Sequence, residues 1–283
     1  MKVLAANIED VMREAAARWT LVAYFLLSSI FILIFACAVN LDIVDGSLAG
    51  AKLFGNQVQM GESMSIEKLV VGFEGGFSAV LYFLCTFLAV FATAHLVPRL
   101  QEKGTIDLYL SRPVGRTKLL LSRYVAGLIL AASNIFYLIG SIWLIVAWKT
   151  HVLHPRFFIA GAMILFVIAV LLAFAFLVGV VTSSTAVSIM ATYGLFFFAV
   201  MLVGHDRYAA ALSRQWQATL INTLYWIVPK TAEIGGAVMA YVSQGQMGDR
   251  IQGTLTPAPF ISTAVFGVVC LVSASLLFNR KEF

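Results

Sequence analysis

The sequence predicts an all-α, polytopic membrane protein, and composition and segment length both support this fold class. Hydrophobic residues make up 61% of the 283 residues and charged residues only 12%, whereas a soluble domain carries about a quarter charged residues. A helix needs ~20 apolar residues to cross the hydrocarbon core. Six runs without any Asp, Glu, Lys or Arg reach or approach that length, and they predict six transmembrane helices. The runs are 21–39, 77–97, 124–148, 157–181, 186–203 and 260–278.

The basic residues predict the orientation of these spans. Eleven of the 19 lysines and arginines fall at the two termini and in segment 98–123, within about 55 residues, and the other eight are spread over about 100 residues. Short loops rich in Lys and Arg stay on the cytoplasmic side. We therefore expect both termini and segment 98–123 to be cytoplasmic, in a bacterial inner membrane. The outer loop 40–76 agrees, with five acids against two lysines.

Two regions outside the spans have amphipathic character. Residues 1–19 carry apolar side chains at a spacing of three to four, which predicts an interfacial helix before the first span, with a plain soluble helix as the alternative. The extracytoplasmic loop 205–259 contains the apolar stretch 218–228, which is too short to span, and a second helical stretch after Pro229. We expect two half-buried outer helices there. Residues 1–283 then form a single transmembrane domain.

Several kinds of chemistry are excluded by missing motifs. The chain has no G-x-x-x-x-G-K-[ST] phosphate loop, so ATP binding by that route is not expected, and no G-x-S-x-G elbow. His151 and His154 are three residues apart but lack further apparent ligands, so no metal site is predicted. The net charge of +5 is interpreted as a cytoplasmic face that meets anionic lipid, not nucleic acid. No cofactor of this chain is predicted.

A few residues carry candidate roles in a translocation path or in helix packing. Polar residues inside a membrane either line a path or make one interhelical hydrogen bond, and the second role is favoured here. The Gly-rich stretch 72–76 is interpreted as a flexible start of the second span, and 205–207 as a solvated helix end. The candidate pathway residues are Ser133, Asn134, Tyr137, Asn222 and Thr223. The glycines expected to allow close helix packing are Gly127, Gly140, Gly161 and Gly179.

Segment 98–123 carries the motif that points to a family. Glu102 is followed by Gly104 and Thr105, then by a short apolar stretch that ends at Pro113, and then by a basic helix that rises into the third span. This order resembles the first cytoplasmic loop of type-2 ABC transporter permeases. Within that family, the chain resembles the subgroup formed by the permease of the nitrous-oxide reductase maturation transporter and its relatives.

The resemblance implies that the chain is a permease subunit, in keeping with an exporter. Such a subunit recruits two separate ATP-binding cassette ATPases. It also pairs with a second permease chain, which is identical or different. ATP and Mg²⁺ would be bound by those ATPases. A short helix in segment 98–123 would then be the coupling helix, with apolar contacts at its centre and polar residues at its rim. The residues to which the resemblance gives this role are Glu102, Gly104, Thr105, Ile106, Asp107, Leu108, Tyr109, Leu110, Arg112 and Pro113.

Three other functions stay open on the sequence alone. A permease-like scaffold would pass ATP-driven motion to a periplasmic partner without conducting a substrate, which the large outer loops allow. An intramembrane enzyme would need a nucleophile and base, or metal ligands, within the spans, and no such set is present. An ion-coupled secondary carrier usually needs intramembrane acids or broken helices, and the six runs contain no acids.

Overall fold

The computed structural model describes residues 19–44, 47–53, 56–58, 66–101, 115–211, 215–243 and 256–281. These residues form ten helices and three short strands. The helices are α1 (Trp19–Ala38), α2 (Ile66–Thr93), α3 (Leu96–Leu100), α4 (Arg116–Thr150), α5 (Arg156–Thr182), α6 (Thr185–Leu202), α7 (His205–Ala211), α8 (Gln215–Ile227), α9 (Thr231–Val242) and α10 (Pro257–Arg280). The strands are β1 (Val39–Val44), β2 (Ser47–Leu53) and β3 (Asn56–Val58).

The helices confirm the predicted polytopic membrane fold. Within the described residues, five helical segments are long and apolar enough to cross a membrane: Val70–Leu100, α4, α5, α6 and α10. The first predicted span corresponds to α1, of which Val22–Cys37 counts as a shorter apolar helix. Each of the six runs is therefore largely helical, with a turn at 94–95 that divides the second run between α2 and α3. The number of helices that cross the membrane stays a prediction. The interfacial helix predicted for 1–19 lies outside the described residues, apart from Trp19.

The structure corrects two expectations for the chain before the second span. The stretch 72–76 is not a flexible start, because α2 is continuous from Ile66. Val70, Val71 and Glu74 are buried, so the apolar face of the span extends outward past its glycines. The loop between α1 and α2 also contains an antiparallel three-stranded sheet in the order β1-β2-β3, which the sequence analysis did not predict.

The bundle packs around α5, which is apolar on all sides. It contacts α2, α3, α4, α6, α9 and α10, and a helix that is hydrophobic all round is expected at the centre of a bundle. The larger core cluster lies between α2, α4, α5 and α9, and includes Leu81, Ile139 and Ile168. A smaller cluster lies near one end, around Leu100, Phe176 and Phe278.

The two ends of the bundle are distinct. We call the end formed by residues 95–101, 115–118, 180–185 and 279–281 the connector end, because the connection 102–114 leaves from it. We call the end formed by the described residues 39–44, 47–53, 56–58, 150–156, 203–211 and 215–243 the loop end. The region 205–259 contributes three described helices to the loop end, α7, α8 and α9, where two were predicted.

Close helix packing at small residues is confirmed for three of the four predicted glycines. A Cβ at Gly161 would lie 2.9 Å from Ile139 Cδ1, one at Gly127 3.0 Å from Leu96 Cδ1, and one at Gly179 3.2 Å from Pro98 Cδ. The prediction is wrong for Gly140, where no atom lies within 4 Å of such a Cβ. Membrane helices associate largely through this kind of close contact, because the hydrophobic effect does not drive helices together within lipid.

Replacing Gly75 with valine should destabilise the loop end. A Cβ at Gly75 would lie 2.5 Å from the Ser243 Cβ and 3.0 Å from its backbone Cα, so the end of α9 must move away from α2. Overpacking of this kind costs about 1–3 kcal/mol, which thermal unfolding in detergent would measure as a lower Tm. Gly72→Val is the matched control, since no atom lies within 4 Å of a Cβ there. Equal losses for both variants would contradict the close approach.

Candidate functional site

The ten residues that the resemblance places in a coupling helix all fall within 102–114, outside the described residues. Both flanks of this segment are described. On one side α2 is followed by the short helix α3, with Leu96, Val97 and Leu100 buried in the smaller core cluster. On the other side α4 begins at Arg116, and Leu119 and Leu120 are buried in the same cluster. The segment therefore leaves from and returns to packed parts of the bundle.

The first flank is joined to the turn between α5 and α6. The Gln101 side-chain amide donates to the Gly179 carbonyl oxygen at 2.9 Å, and the Ser183 hydroxyl donates to Gln101 Oε1 at 2.8 Å. Ser183 ends α5 in the left-handed region, with φ of 51°. The Lys281 ammonium reaches the same place from the end of α10, at 2.6 Å from Gln101 Oε1.

The second flank is joined to the end of α10. The Arg116 guanidinium donates to the carbonyl oxygen of Lys281 at 2.7 Å and to that of Asn279 at 3.3 Å. The Asn279 side-chain amide donates to Thr117 Oγ1 at 2.7 Å. The last carbonyls of a helix have no partner within the helix and carry partial negative charge, so a cation is favourable there.

A buried lysine organises the loop end between α8 and α9. Lys230 is only 5% exposed, and its ammonium lies 4.4 Å from the Tyr225 ring centroid and 4.0 Å from that of Trp226. It also donates to the Ser262 hydroxyl at 3.3 Å, and its backbone N–H donates to Thr263 Oγ1 at 3.0 Å. Cation–π contacts of a desolvated ammonium are the stronger kind. Lys230 thus ties α8 to α10.

Tyr225 connects this lysine to a carboxylate and to a histidine. Its hydroxyl donates to Glu233 Oε1 at 2.6 Å, and its ring stacks on His205 with centroids 3.6 Å apart. Burial raises the pKa of Tyr225, and the bond to Glu233 raises it further, so the hydroxyl stays protonated as the donor. Burial lowers the pKa of Lys230, while the Glu233 charge opposes that shift. His205 is therefore packed on α8, and the expectation of a solvated helix end is wrong for this residue.

The candidate pathway residues of the third span contact α1. Asn134 is buried and its Oδ1 accepts from the Ser28 hydroxyl at 2.9 Å, while the Tyr137 hydroxyl lies 2.9 Å from Ser29 Oγ. Ser133 is exposed and bonds the backbone oxygen of Ile129 at 2.8 Å. The structure thus places Asn134 and Tyr137 at an α1–α4 contact, whereas Ser133 bonds within α4.

The outer candidates lie on α8, which has two different faces. Asn222 and Thr223 are both exposed, and the Thr223 hydroxyl bonds the backbone oxygen of Thr219 at 2.8 Å. Leu224, Tyr225 and Val228 pack against Ala199 and Leu202 of α6. The other face exposes several large apolar side chains in the single chain, which are Trp216, Leu220, Trp226 and Ile227. The stretch 218–228 is therefore buried on one side only.

One polar pair at the loop end was missed by the sequence analysis. Glu74 of α2 is 1% exposed and His154, before α5, is 6% exposed, with His154 Nδ1 at 2.5 Å from Glu74 Oε2. The sequence analysis does not place Glu74 near His154, because the predicted second span begins only at 77. A signal was present: Val70, Glu74 and Phe77 lie at helical spacing. Within the described residues no group of three or more metal-ligating side chains occurs.

Comparison with protein-family models gives a match over most of the chain. A family model described as "ABC-2 family transporter protein" matches residues 11–283, which is nearly the whole chain. No curated protein matches the chain. The family match includes both flanks of segment 102–114, the six apolar helices and the helices of the loop end.

Proposed function

The chain belongs to the ABC-2 family of transporter proteins, and on that premise we propose that it is the permease of an exporter driven by separate ATP-binding cassette ATPases. As a member of this family it is a transmembrane subunit of an ABC transporter. The export direction, two ATPase subunits that bind ATP and Mg²⁺, and a second permease chain complete the proposal. The likeness to the nitrous-oxide reductase maturation permease also stays a prediction.

The observation that carries this proposal is how both flanks of segment 102–114 are held. ATP-driven closure of the ATPases must act on a part of the permease that cannot move independently of the spans. Gln101 is bonded to the α5–α6 turn and Arg116 to the end of α10, and both flanks are packed in one core cluster. Such an attachment suits rigid-body transmission of motion into the bundle. The connector end is then cytoplasmic, as are both termini.

A second candidate function is supported by the folded elements of the loop end. A three-stranded sheet and three helices lie outside the candidate spans. A permease-like scaffold could use such a surface to pass motion to a periplasmic partner without conducting a substrate. Binding of an outer partner without vesicle transport would favour this function over export.

The structure removes one reason for excluding an ion-coupled carrier, which was the lack of acids in the predicted spans. Glu74 lies inside the candidate span Val70–Leu100 and is buried, so the absence of acids from the spans no longer excludes an ion-coupled carrier. Family membership now favours an ATP-driven transporter instead.

The proposal predicts that ATP is handled only by partner subunits. The purified chain alone should neither bind nor hydrolyse MgATP, because it lacks a phosphate loop. Co-expression with its ATP-binding cassette partner should give a complex that hydrolyses ATP in lipid nanodiscs. Fluorescent nucleotide binding and phosphate release measure both. Micromolar nucleotide binding by the isolated chain, or the lack of a complex, would contradict the proposal.

A further inference from the structure

We propose that Lys281 is a positioning residue that holds Gln101, the residue just before segment 102–114, against the α5–α6 turn, so that motion of the ATPases reaches α5 and α6 as well as α2 and α4. This inference rests on the proposed function. It assigns a mechanical role to a side chain just after the last helix, outside the segment that contacts the ATPase.

Each N–H donor of the Lys281 ammonium has an acceptor within hydrogen-bond distance. A lysine has three N–H donors, and Lys281 Nζ has three acceptors: Gln101 Oε1 at 2.6 Å, Ser183 Oγ at 2.7 Å and the Val180 carbonyl oxygen at 2.8 Å. These are short, charge-assisted bonds, which are stronger than bonds between neutral groups. These three bonds fix the Lys281 side chain in one position, whereas a solvated surface lysine moves among many rotamers.

The three acceptors belong to different parts of the chain. Gln101 immediately precedes segment 102–114, Val180 lies in the last turn of α5, and Ser183 lies in the turn before α6. Ser183 and Gln101 also bond each other, and Gln101 bonds Gly179. The lysine thus closes a network in which the coupling flank and the α5 C-terminus share one cation, which also suits the partial negative charge of that terminus.

Lys281 also contacts the flank that follows segment 102–114. Arg116, two residues after segment 102–114, bonds the backbone oxygen of the same Lys281. The residue therefore holds the flank before the segment with its side chain and the flank after it with its backbone. A force on the segment then acts on the ends of α5 and α10 at one point.

Gly179 provides independent support for a tight joint. A Cβ at this position would lie 3.2 Å from Pro98 Cδ of α3 and 3.2 Å from Ser188 Oγ of α6. The α3 helix and the start of α6 are therefore in contact with the last turn of α5, next to the Lys281 network. Close packing of this kind transmits displacement because it leaves no room for the parts to slip.

The test compares Lys281→Met with Arg280→Met in the complete complex with its ATPases. Arg280 is the neighbouring residue and is exposed, so both variants lose one charge at the same end of α10. Hydrogen–deuterium exchange of the nanodisc complex is measured without nucleotide and in the ADP–vanadate state. Coupling between distant sites is typically about 5–150-fold, so the unmodified complex and Arg280→Met should change exchange rates at the loop end by about fivefold or more.

For Lys281→Met we expect normal ATPase binding and hydrolysis, but a nucleotide-dependent change at the loop end below about twofold. Lys281→Arg, which keeps the charge and donors, should restore part of it. A loop-end change equal to that of Arg280→Met would overturn the inference while leaving the proposed function intact. No nucleotide-dependent change in the unmodified complex would overturn both. If Lys281→Met does not accumulate, Gln101→Leu removes the shared acceptor and gives the same reading.

Discussion

Replacing both Tyr109 and Leu110 with glutamate is expected to release the ATPase subunits and leave the bundle folded. The two residues form part of an apolar stretch between basic residues, and the resemblance places this stretch at the centre of the contact with the ATPase. A buried anchor at the centre of an interface contributes about 2 kcal/mol or more, so losing one weakens binding by about 30-fold and losing both should abolish co-purification. Pull-down from detergent, with size-exclusion chromatography of the permease, measures both parts.

The control for added negative charge is Arg280→Glu. This residue is exposed at the connector end, outside the predicted contact, so the ATPase should remain bound. Undiminished co-purification of the Tyr109/Leu110 variant would show that the stretch is not the docking site. Loss of the permease itself would show that the stretch instead holds the bundle together.

Replacing His154 with asparagine is expected to destabilise the protein strongly, because it leaves Glu74 buried without its imidazole partner. Both side chains are nearly inaccessible, and they join α2 to the α4–α5 loop. Breaking a buried pair by removing one partner costs about 3–5 kcal/mol, which for a chain of this size lowers Tm by at least about 6 °C. Thermal unfolding of the purified permease in detergent gives the value.

His151→Asn is the matched control, since it makes the same substitution in the same loop at an exposed position. His151 has φ of 55°, a conformation that asparagine tolerates, so its Tm should barely change. The double variant Glu74→Leu/His154→Leu should recover part of the loss, because it removes both polar groups together. Similar Tm values for the His154 and His151 variants would show that the pair contributes little.

The helices could be predicted from the sequence because their signal is strong and local. Runs of about 20 residues without charge have few alternatives to a transmembrane helix, and all six runs are largely helical. The helix of the second span begins at Ile66, eleven residues before 77, the start that is predicted because Gly72, Gly75 and Gly76 suggest a break. Glycine lowers helix propensity by only about 1 kcal/mol, and packing of Val70 and Val71 offsets it here.

The polar contacts could not be predicted, because they join residues that are distant in sequence. Glu74 and His154 are 80 residues apart, and Gln101 and Lys281 are 180 apart. Nothing in one sequence indicates which helix ends meet. The outer stretch 218–228 was predicted as helical and half-buried, but its attachment through Lys230 and Tyr225 depends on α10 and α9 arriving at the same place. The β-strands carry only a weak pattern, in a segment with Gly46 and Gly50.

The most direct test of whether segment 102–114 docks on the ATPase is a photo-cross-link from position 109 in living cells. A benzophenone amino acid replaces Tyr109, and adducts are identified by mass spectrometry after irradiation. If this segment docks on the ATPase, we expect one major adduct, with the ATP-binding cassette protein, which disappears when Leu110 is also changed to glutamate. An adduct with an extracytoplasmic protein, or labelling of Lys118→Cys by a membrane-impermeant reagent from outside, would contradict the cytoplasmic docking of this segment.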